Sequence, residues 1–459
     1  MIVTLKNGST IQCEDEPFAQ GTDGAAHWSS DAGSLVKLYH QAEPWREAAL
    51  DLIVSSLNAV KSAPYYAGLL CWPVGVVKLP RLGVVLPRAE QGLEKLAKMI
   101  LPKYLNYHQE YVGRWDARVT MALRLARAVR RMHTMGLCHS DLSDNNILAN
   151  ASDGRVYVID CDGLVVPGRA RHVVVGTKFF MAPEVVAGTA GPSVLADQHA
   201  LAVLIYHLLF LRHPLRGVKV HAQDADRNET LQLGEKGLYI EHPADLSNRP
   251  EHLGVPSMIA GSAVTRLFNR AFVDGLHTPG ARPPASTWER DLAYLLDTLL
   301  PCPNPQCSFK SFPLPEVSTA RVKVACPWCK TALRGWRMPV LRWRSPVPDH
   351  KGGYSNTSRR KVARDGETLH EWHVRAHVLP GDGVSTKALG HFARHRRADG
   401  SDCMVLVNDC LPYLEAADPG NSWKRIRAGE AAELKQGRTL RFGPPGTAPD
   451  IAVEIVELA

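Results

Sequence analysis

Four of the ten cysteines in this 459-residue chain fall into two close pairs, Cys302-x4-Cys307 and Cys326-x2-Cys329, eighteen residues apart. Two short turns of this kind can bring four thiolates together in a tetrahedron, which suits Zn²⁺ and leaves no open coordination position. The metal would then be structural. Pro303, Pro305 and Pro327 stiffen the turns, and Lys330 helps balance a dianionic centre. Two disulfides or an iron–sulfur centre are the competing readings. A second set of reactive residues lies upstream. Lys37 sits inside an otherwise apolar run, where a lysine needs an anionic partner or an edge from which to reach water. Asp141, Asn146 and Asp160 follow at intervals of five and fourteen residues.

These residues must be carried by ordered elements. Residues 1–88 contain short β-type runs, with one helix beginning at Glu43-Pro44 and continuing from Trp45 to Leu57. Trp115 to Gly136 reads as an amphipathic helix with Val119, Leu123, Ala126, Val129 and Met132 on one stripe and arginines opposite. Further helices run to about Leu300, and a β-patterned segment closes the chain. Composition is ordinary for a globular protein: 45% hydrophobic, 22% charged, with a formal net charge of +8 that does not demand nucleic acid. No apolar run approaches a membrane span, and the start lacks the apolar core of a secretion signal, so a cytoplasmic location is expected.

Five signals occur in a telling order. Ala19-Gln20-Gly21-Thr22-Asp23-Gly24-Ala25-Ala26 is a degraded glycine-rich loop, in which Gly21 and Gly24 would allow close approach to phosphates, although the same residues also make an ordinary hairpin turn. Lys37 is next. His139-Ser140-Asp141-Leu142-Ser143-Asp144-Asn145-Asn146 follows, then an apolar strand ending in Asp160-Cys161-Asp162, and finally Gly176-Thr177-Lys178-Phe179-Phe180-Met181-Ala182-Pro183-Glu184.

In this order the motifs resemble those of a protein kinase over about residues 15–298, and of bacterial Ser/Thr kinases in particular. Arg212-His213-Pro214-Leu215-Arg216-Gly217, Leu267-Phe268-Asn269-Arg270-Ala271-Phe272 and Cys326-Pro327-Trp328-Cys329 look like the branch whose kinase domain runs into a zinc ribbon. That branch is associated with a protein phosphatase and a von Willebrand A-type protein in stress or tellurite-resistance systems. The resemblance implies an α+β, two-lobed protein-kinase-like fold, followed by a zinc ribbon and a small all-β domain. It implies protein substrates, and ATP with Mg²⁺ (or Mn²⁺) beside the zinc. Lys37 would hold the α/β-phosphates with Glu47 as its carboxylate partner, in preference to Glu43. Asp141 would orient the acceptor hydroxyl, and Asn146 and Asp160 would hold magnesium. Val85, Leu86 and Arg88 would lie at the adenine, Thr177 at the acceptor site, Asp197 would anchor the catalytic loop, and Arg282 would pair with Glu184.

The departures matter as much. Ser140 replaces the arginine that grips a phosphorylated activation loop in many kinases, so loop phosphorylation is expected to matter little. Ser143 replaces a lysine that neutralises the γ-phosphate. It gives the loop a form resembling atypical RIO-type kinases, some of which behave more as ATPases. An ATP-binding scaffold is therefore the alternative function.

The expected divisions are 1–88 and 89–300 for the two lobes, 301–340 for the ribbon, 341–367 for a basic flexible linker and 368–459 for a β-sandwich. Nine Lys/Arg and one acid lie between Arg334 and Arg364, with Trp336 and Trp343 interleaved. A solvated hinge is favoured there over a nucleic-acid contact. Ser355, Thr357 and Ser358 are candidate autophosphorylation sites. Gly437 to Gly443 with the final strand faintly resembles the close of a forkhead-associated domain, without that family's phosphothreonine-reading residues.

Overall fold

The computed structural model describes residues 1–55, 68–100, 113–165, 176–316, 321–346, 354–375, 378–380, 387–444 and 450–458. The end of the first expected helix and the middle of the segment between Asp160 and Gly176 lie outside them. By internal contacts the chain divides into two units. One comprises Met1–Gly113, Thr120–Leu253 and Phe268–Ala285, and the other Arg114–Val119, Gly254–Leu267 and Ser286–Ala459. No helix among the described residues is long and apolar enough to cross a membrane.

The first unit opens with strands β1 (Ile2–Leu5), β2 (Thr10–Gln12), β3 (Ala19–Gln20), β4 (Gly24–Trp28) and β5 (Ser34–Tyr39). Helix α1 (Pro44–Ser55) and strands β6 (Gly75–Leu79) and β7 (Gly83–Pro87) follow. They form one antiparallel sheet in the order β2-β1-β6-β7-β5-β4-β3. Alternation along β5 separates two small cores. Val36 and Leu38 pack with Val3, Val77 and Val85. Tyr39, with Leu35 against it, packs on the other side among Leu50, Cys71, Val84, Leu86 and Tyr157. Lys37 belongs by periodicity to that second face. Gly24 is required by strand spacing, because a Cβ there would stand 2.4 Å from the Leu38 carbonyl oxygen.

Strand β8 (Glu94–Lys95), helix α2 (Trp115–Thr134), strands β9 (Ile147–Ala149) and β10 (Val156–Val158), and helices α3 (Val194–Phe210) and α4 (Ala225–Leu233) come next. The expected stripe of α2 is buried, but so are Arg118 and Arg127 on its other sides. The helix is embedded rather than laid on a surface. Helix α3 is buried almost all round; Tyr206 meets Tyr239, Phe268 and Phe272 edge to face, and Phe210 meets Phe268 in the same way. Ser193 caps its start by accepting a hydrogen bond from the Ala196 amide at 3.1 Å.

Helix α5 (Gly261–Asn269) leads back into the first unit, and α6 (Ala285–Leu296) leads out of it. In the second unit, β11 (Leu299–Pro301) pairs with β12 (Ser311–Pro313), β13 is Arg321–Val322, and β14 (Val324–Ala325) pairs with β15 (Ala332–Leu333). Beyond these lie β16 (Trp336–Pro346), β17 (Tyr354–Val362), β18 (Thr368–His370), β19 (Ala388–Arg396) and β20 (Asp402–Asn408). The last strands are β21 (Glu415–Ala417), β22 (Lys424–Arg425), β23 (Ala431–Glu433), β24 (Thr439–Arg441) and β25 (Asp450–Leu458). One sheet runs β17-β16-β25-β24-β21-β22, with β13 beside β25, and a second runs β18-β19-β20-β23. Leu341, Trp343, Leu440 and Ile451 of the first share a core with Leu369, Phe392, Leu406 and Ala432 of the second. This is a two-sheet packing.

The stretch 341–367 corrects an expectation. Rather than a flexible linker, its described part lies largely in β16 and β17, and Arg359, Arg360 and Lys361 are buried. The Arg359 guanidinium is flanked by Tyr294, Trp343 and Trp372 at 4.4, 4.3 and 5.4 Å, and Arg360 donates to the carbonyls of Leu314 and Pro315. These cations serve the interior and do not form a surface for nucleic acid. Thr357 sits in β17 with its hydroxyl donating to the Trp343 carbonyl at 2.8 Å.

Candidate functional site

Lys37 and Tyr39 leave β5 on the same side, and both converge on one carboxylate. Lys37 Nζ lies 2.9 Å from Asp160 Oδ1 and 2.8 Å from Asp162 Oδ2, and the Tyr39 hydroxyl donates to the same Asp162 oxygen at 2.7 Å. Burial alone would favour a neutral lysine, but Asp162 and Asp160 outweigh it and hold Lys37 charged, with its pKa raised. The Tyr39 phenol is pushed up by burial and by Asp162, so it remains a donor. Asp160 has φ of +64°, a left-handed conformation that aspartate tolerates at some cost. Its side chain is 41% exposed, whereas that of Asp162 is 2% exposed.

Glu47 does not reach Lys37. It pairs with Lys6 Nζ at 2.5 Å, beside Asp51 on the same lysine at 2.7 Å. Helix α1 instead sends Arg46 inward: its guanidinium lies 4.4 Å over the Tyr39 ring and 3.3 Å from Asp23 in the loop between Gly21 and Gly24. That loop is a tight hairpin turn, closed by the Gly21 amide donating to the Gly24 carbonyl at 2.9 Å.

The segment bearing Asp141 is anchored from below. Asp197, in the first turn of α3, accepts hydrogen bonds from the His139 and Ser140 amides at 2.7 and 3.3 Å. His139 Nε2 lies 2.9 Å from the Ile159 carbonyl, tying the loop to the strand that delivers Asp160. The Asn146 amide donates to the Asp141 carbonyl and to its Oδ2, both at 2.9 Å, and the Thr177 backbone N–H donates to Asp141 Oδ1 at 2.8 Å. The Ile159 amide donates to the Asn146 carbonyl at 2.9 Å, which sets Asn146 beside the start of Asp160. Asp141, Asn146, Thr177, Lys37 and Asp160 are thus joined through backbone and side-chain hydrogen bonds. A cavity of about 330 Å³, counted with its open mouth, borders Asp141 and Thr177 and is otherwise lined mainly by apolar groups such as Leu142, Phe180, Met181 and Val185.

Arg282 is fully buried and grips Glu184 with two hydrogen bonds of 2.7 Å each, while donating to the carbonyls of Leu195, Gly275 and Leu276. This bidentate pair fixes the end of the segment carrying Thr177. Ser143 is buried with no hydrogen-bond partner for its hydroxyl among the described residues, and Cys161 is buried with its thiol pushed up by that burial.

The three residues expected at the adenine separate. Leu86 pairs with Leu35 in register and shares the face of Lys37. Val85 packs its side chain on the opposite face, among Val3, Val36 and Val77. Arg88 donates its amide to the Gly33 carbonyl at 3.0 Å and lays its guanidinium on Trp28 at 4.2 Å.

The four paired cysteines come together in the second unit. Cys302 and Cys329 sulfurs are 3.5 Å apart, Cys307 and Cys326 sulfurs 3.9 Å apart, and all four lie within 4.8 Å of one another. Four thiolates about 2.3 Å from a tetrahedral ion stand ~3.8 Å from each other, so the set fits Zn²⁺. Lys310 and Lys330, each just beyond a cysteine turn, have φ of +55° and +63°.

Sequence reasoning missed Asp162, Tyr39 and Arg46. The available signal was the second aspartate of Asp160-Cys161-Asp162, a charge where the motif normally carries glycine.

Residues 88–269 match the family model described as the protein kinase domain. The Ser/Thr-protein kinase AtPK1/AtPK6 of Arabidopsis thaliana is 32% identical over 130 residues, covering 28% of this chain and 27% of that protein. Calcium-dependent protein kinase 9 of Oryza sativa subsp. japonica is 36% identical over 104 residues, covering 21% of this chain and 18% of that protein. Among solved structures, ROP2 from Toxoplasma gondii, described as a virulence factor with a protein-kinase fold and no enzymatic activity, aligns with a TM-score of 0.41 and 18% identity. That alignment covers 64% of this chain and 86% of that one. The chain spans about a quarter of the length of the first of these curated relatives. It carries a protein kinase domain with Ser/Thr kinase relatives.

Proposed function

We propose that the protein is a Ser/Thr protein kinase that transfers the γ-phosphate of Mg-ATP to hydroxyls of protein substrates. The observation that carries this reading is the immobilised Asp141 carboxylate, held by Asn146 and the Thr177 amide on a loop anchored by Asp197. A carboxylate fixed in this way can orient an acceptor hydroxyl and receive its proton as the new P–O bond forms and the bond from the γ-phosphorus to the bridging oxygen breaks. Lys37 offers a permanent positive charge to the α/β-phosphates. Asp160 has the exposure to serve a cation, and Asn146, having committed its N–H group to Asp141, offers its carbonyl oxygen. When bound, Mg²⁺ neutralises charge on the phosphate oxygens. Thr177 lines the acceptor side, and the Arg282–Glu184 pair keeps that side in place.

The resemblance to the ribbon-bearing branch makes bacterial stress signalling the setting to examine, in the cytoplasm. A protein phosphatase and a von Willebrand A-type protein are the partners to try. The cysteine cluster would hold a structural Zn²⁺.

One observation favours a second reading, an ATP-binding scaffold or ATPase. Ser143, buried and neutral where related loops carry a lysine, supplies no charge to the γ-phosphate. ATP labelled at the γ-phosphate separates the two. Wild type should label itself or a generic protein substrate, and Asp141→Asn should lose roughly 10²- to 10⁴-fold of that transfer. Release of inorganic phosphate with no labelled protein would favour the scaffold or ATPase.

A further inference from the structure

We infer that Asp162, and not a carboxylate of helix α1, is the positioning residue for Lys37, so that the phosphate-binding lysine is held independently of where α1 stands. This deepens the kinase reading and rests on it.

The geometry gives each carboxylate a different job. Asp160 and Asp162 both touch Lys37 Nζ, at 2.9 and 2.8 Å. Asp160 is 41% exposed and can turn to the nucleotide's cation, while Asp162 is shut in at 2%. A carboxylate so enclosed is costly without a paired cation, and Lys37 is the cation it contacts. The Tyr39 hydroxyl donates to the same Oδ2 at 2.7 Å, from the same face of β5, so Lys37 and its partner are braced by one strand. Asp162 follows Asp160 in a single 3₁₀ turn, Cys161–Gly163, and is covalently tied to the cation-facing residue.

Helix α1 supplies the opposite charge. Its acidic side chains Glu47 and Asp51 are engaged by Lys6, and the charged side chain it directs to this region is Arg46, stacked on Tyr39 and paired with Asp23. A cation on that side cannot replace the acid that a lysine requires. The aspartate in place of the motif's glycine is therefore a gain: it places the lysine's partner on the turn that follows Asp160 instead of on helix α1. Displacing α1 would leave Lys37 aligned, and regulation through that helix would have to act on Arg46 and the glycine-loop Asp23 instead.

The test uses the full chain, with steady-state phosphotransfer from γ-labelled ATP and equilibrium binding of a fluorescent ATP analogue. Asp162→Asn should lower kcat/KM for ATP by roughly 10- to 100-fold, as expected for a misplaced contact group, with the KM for the protein acceptor unchanged. In a Lys37→Met background the same change should add nothing further to the loss of analogue binding. Tyr39→Phe should weaken binding severalfold in the same direction, and Glu47→Gln should stay within about twofold of wild type. If Asp162→Asn fails to fold, Tyr39→Phe and Glu47→Gln decide. A tenfold loss in Glu47→Gln, or losses from Asp162→Asn and Lys37→Met that multiply, would overturn the assignment while leaving the kinase reading intact. A wild-type chain that binds no nucleotide would overturn both.

Discussion

Thr177 shows how much one backbone amide decides. It is the sole hydroxyl side chain between Asp160 and Glu184, and its N–H donates to Asp141 Oδ1 at 2.8 Å. An anionic side chain there would stand beside the carboxylate proposed to take the acceptor's proton, and the two like charges would repel each other. With Ser140 in place of the arginine that reads a phosphorylated loop, no gain offsets that repulsion. Thr177→Glu should therefore lower γ-phosphate transfer, by roughly tenfold or more, in the labelling assay; a rise would show that the loop is activated by phosphorylation after all. At this scale the juxtaposition of Lys37 with Asp160, of Asp141 with Asn146 and of Arg282 with Glu184 was legible, because residue type and interval together suggest it. It was not readable where a role can pass to a different residue. Nothing in the interval from Lys37 to Glu47 reveals that Lys6 takes the glutamate, and a charge at a glycine position reads as decay until its lysine is seen beside it.

The expected ribbon is built on very short elements. Hairpins β11–β12 and β14–β15 have two or three residues per strand, yet they bring four sulfurs within 4.8 Å and place two lysines in left-handed turns. Leu300, Phe312, Leu314, Val324, Leu333, Met338, Val340 and Val362 form a small core with Cys307 and Cys326, to which a bound ion would add a constraint on the two turns. Metal analysis should find one zinc per chain, and Cys326→Ser should lose it and lower the second unit's melting temperature by roughly 5 °C or more. Two disulfides, or iron in place of zinc, would show directly in thiol titration and elemental analysis. The spacing of the cysteines anticipated the four-sulfur cluster before its strands were legible. Helix α2 is the converse: its apolar stripe was visible, but the burial of Arg118 and Arg127 depends on surroundings that periodicity does not report.

Across the whole molecule, the boundary that moved most was the basic stretch 341–367. Lysine and arginine near proline, glycine and serine read as a solvated hinge. Their partners come from far away in sequence: Tyr294 and Trp372 for Arg359, Leu314 and Pro315 for Arg360, and Asp297 for Lys361. Lys361 Nζ lies 2.9 Å from Asp297 Oδ1, with Glu367 at 3.3 Å, and His373 Nε2 stands 3.2 Å from the same Asp297 oxygen. Burial would raise the Asp297 pKa, but Lys361 first and His373 second hold it below the usual carboxylate range. Burial would lower that of Lys361, but Asp297 and Glu367 raise it, and burial pushes His373 down to about 4. The signs define a window. Stability from Lys361 is present below its unfolded pKa of about 10.4 and fades as pH rises through the higher folded value. Stability from Asp297 is present above about pH 3.9 and fades as pH falls through the lower folded value. Between about pH 6.5 and 4 the unfolded chain protonates His373 before the folded one does, so stability already declines there. Lys361→Met strands a buried carboxylate, and urea denaturation near pH 8 should register a loss of about 3–5 kcal/mol in the second unit. Adding Asp297→Asn should recover part of it, because the two side chains share one interaction. A Lys361→Met variant as stable as wild type would return this stretch to the surface and reopen it to an external partner.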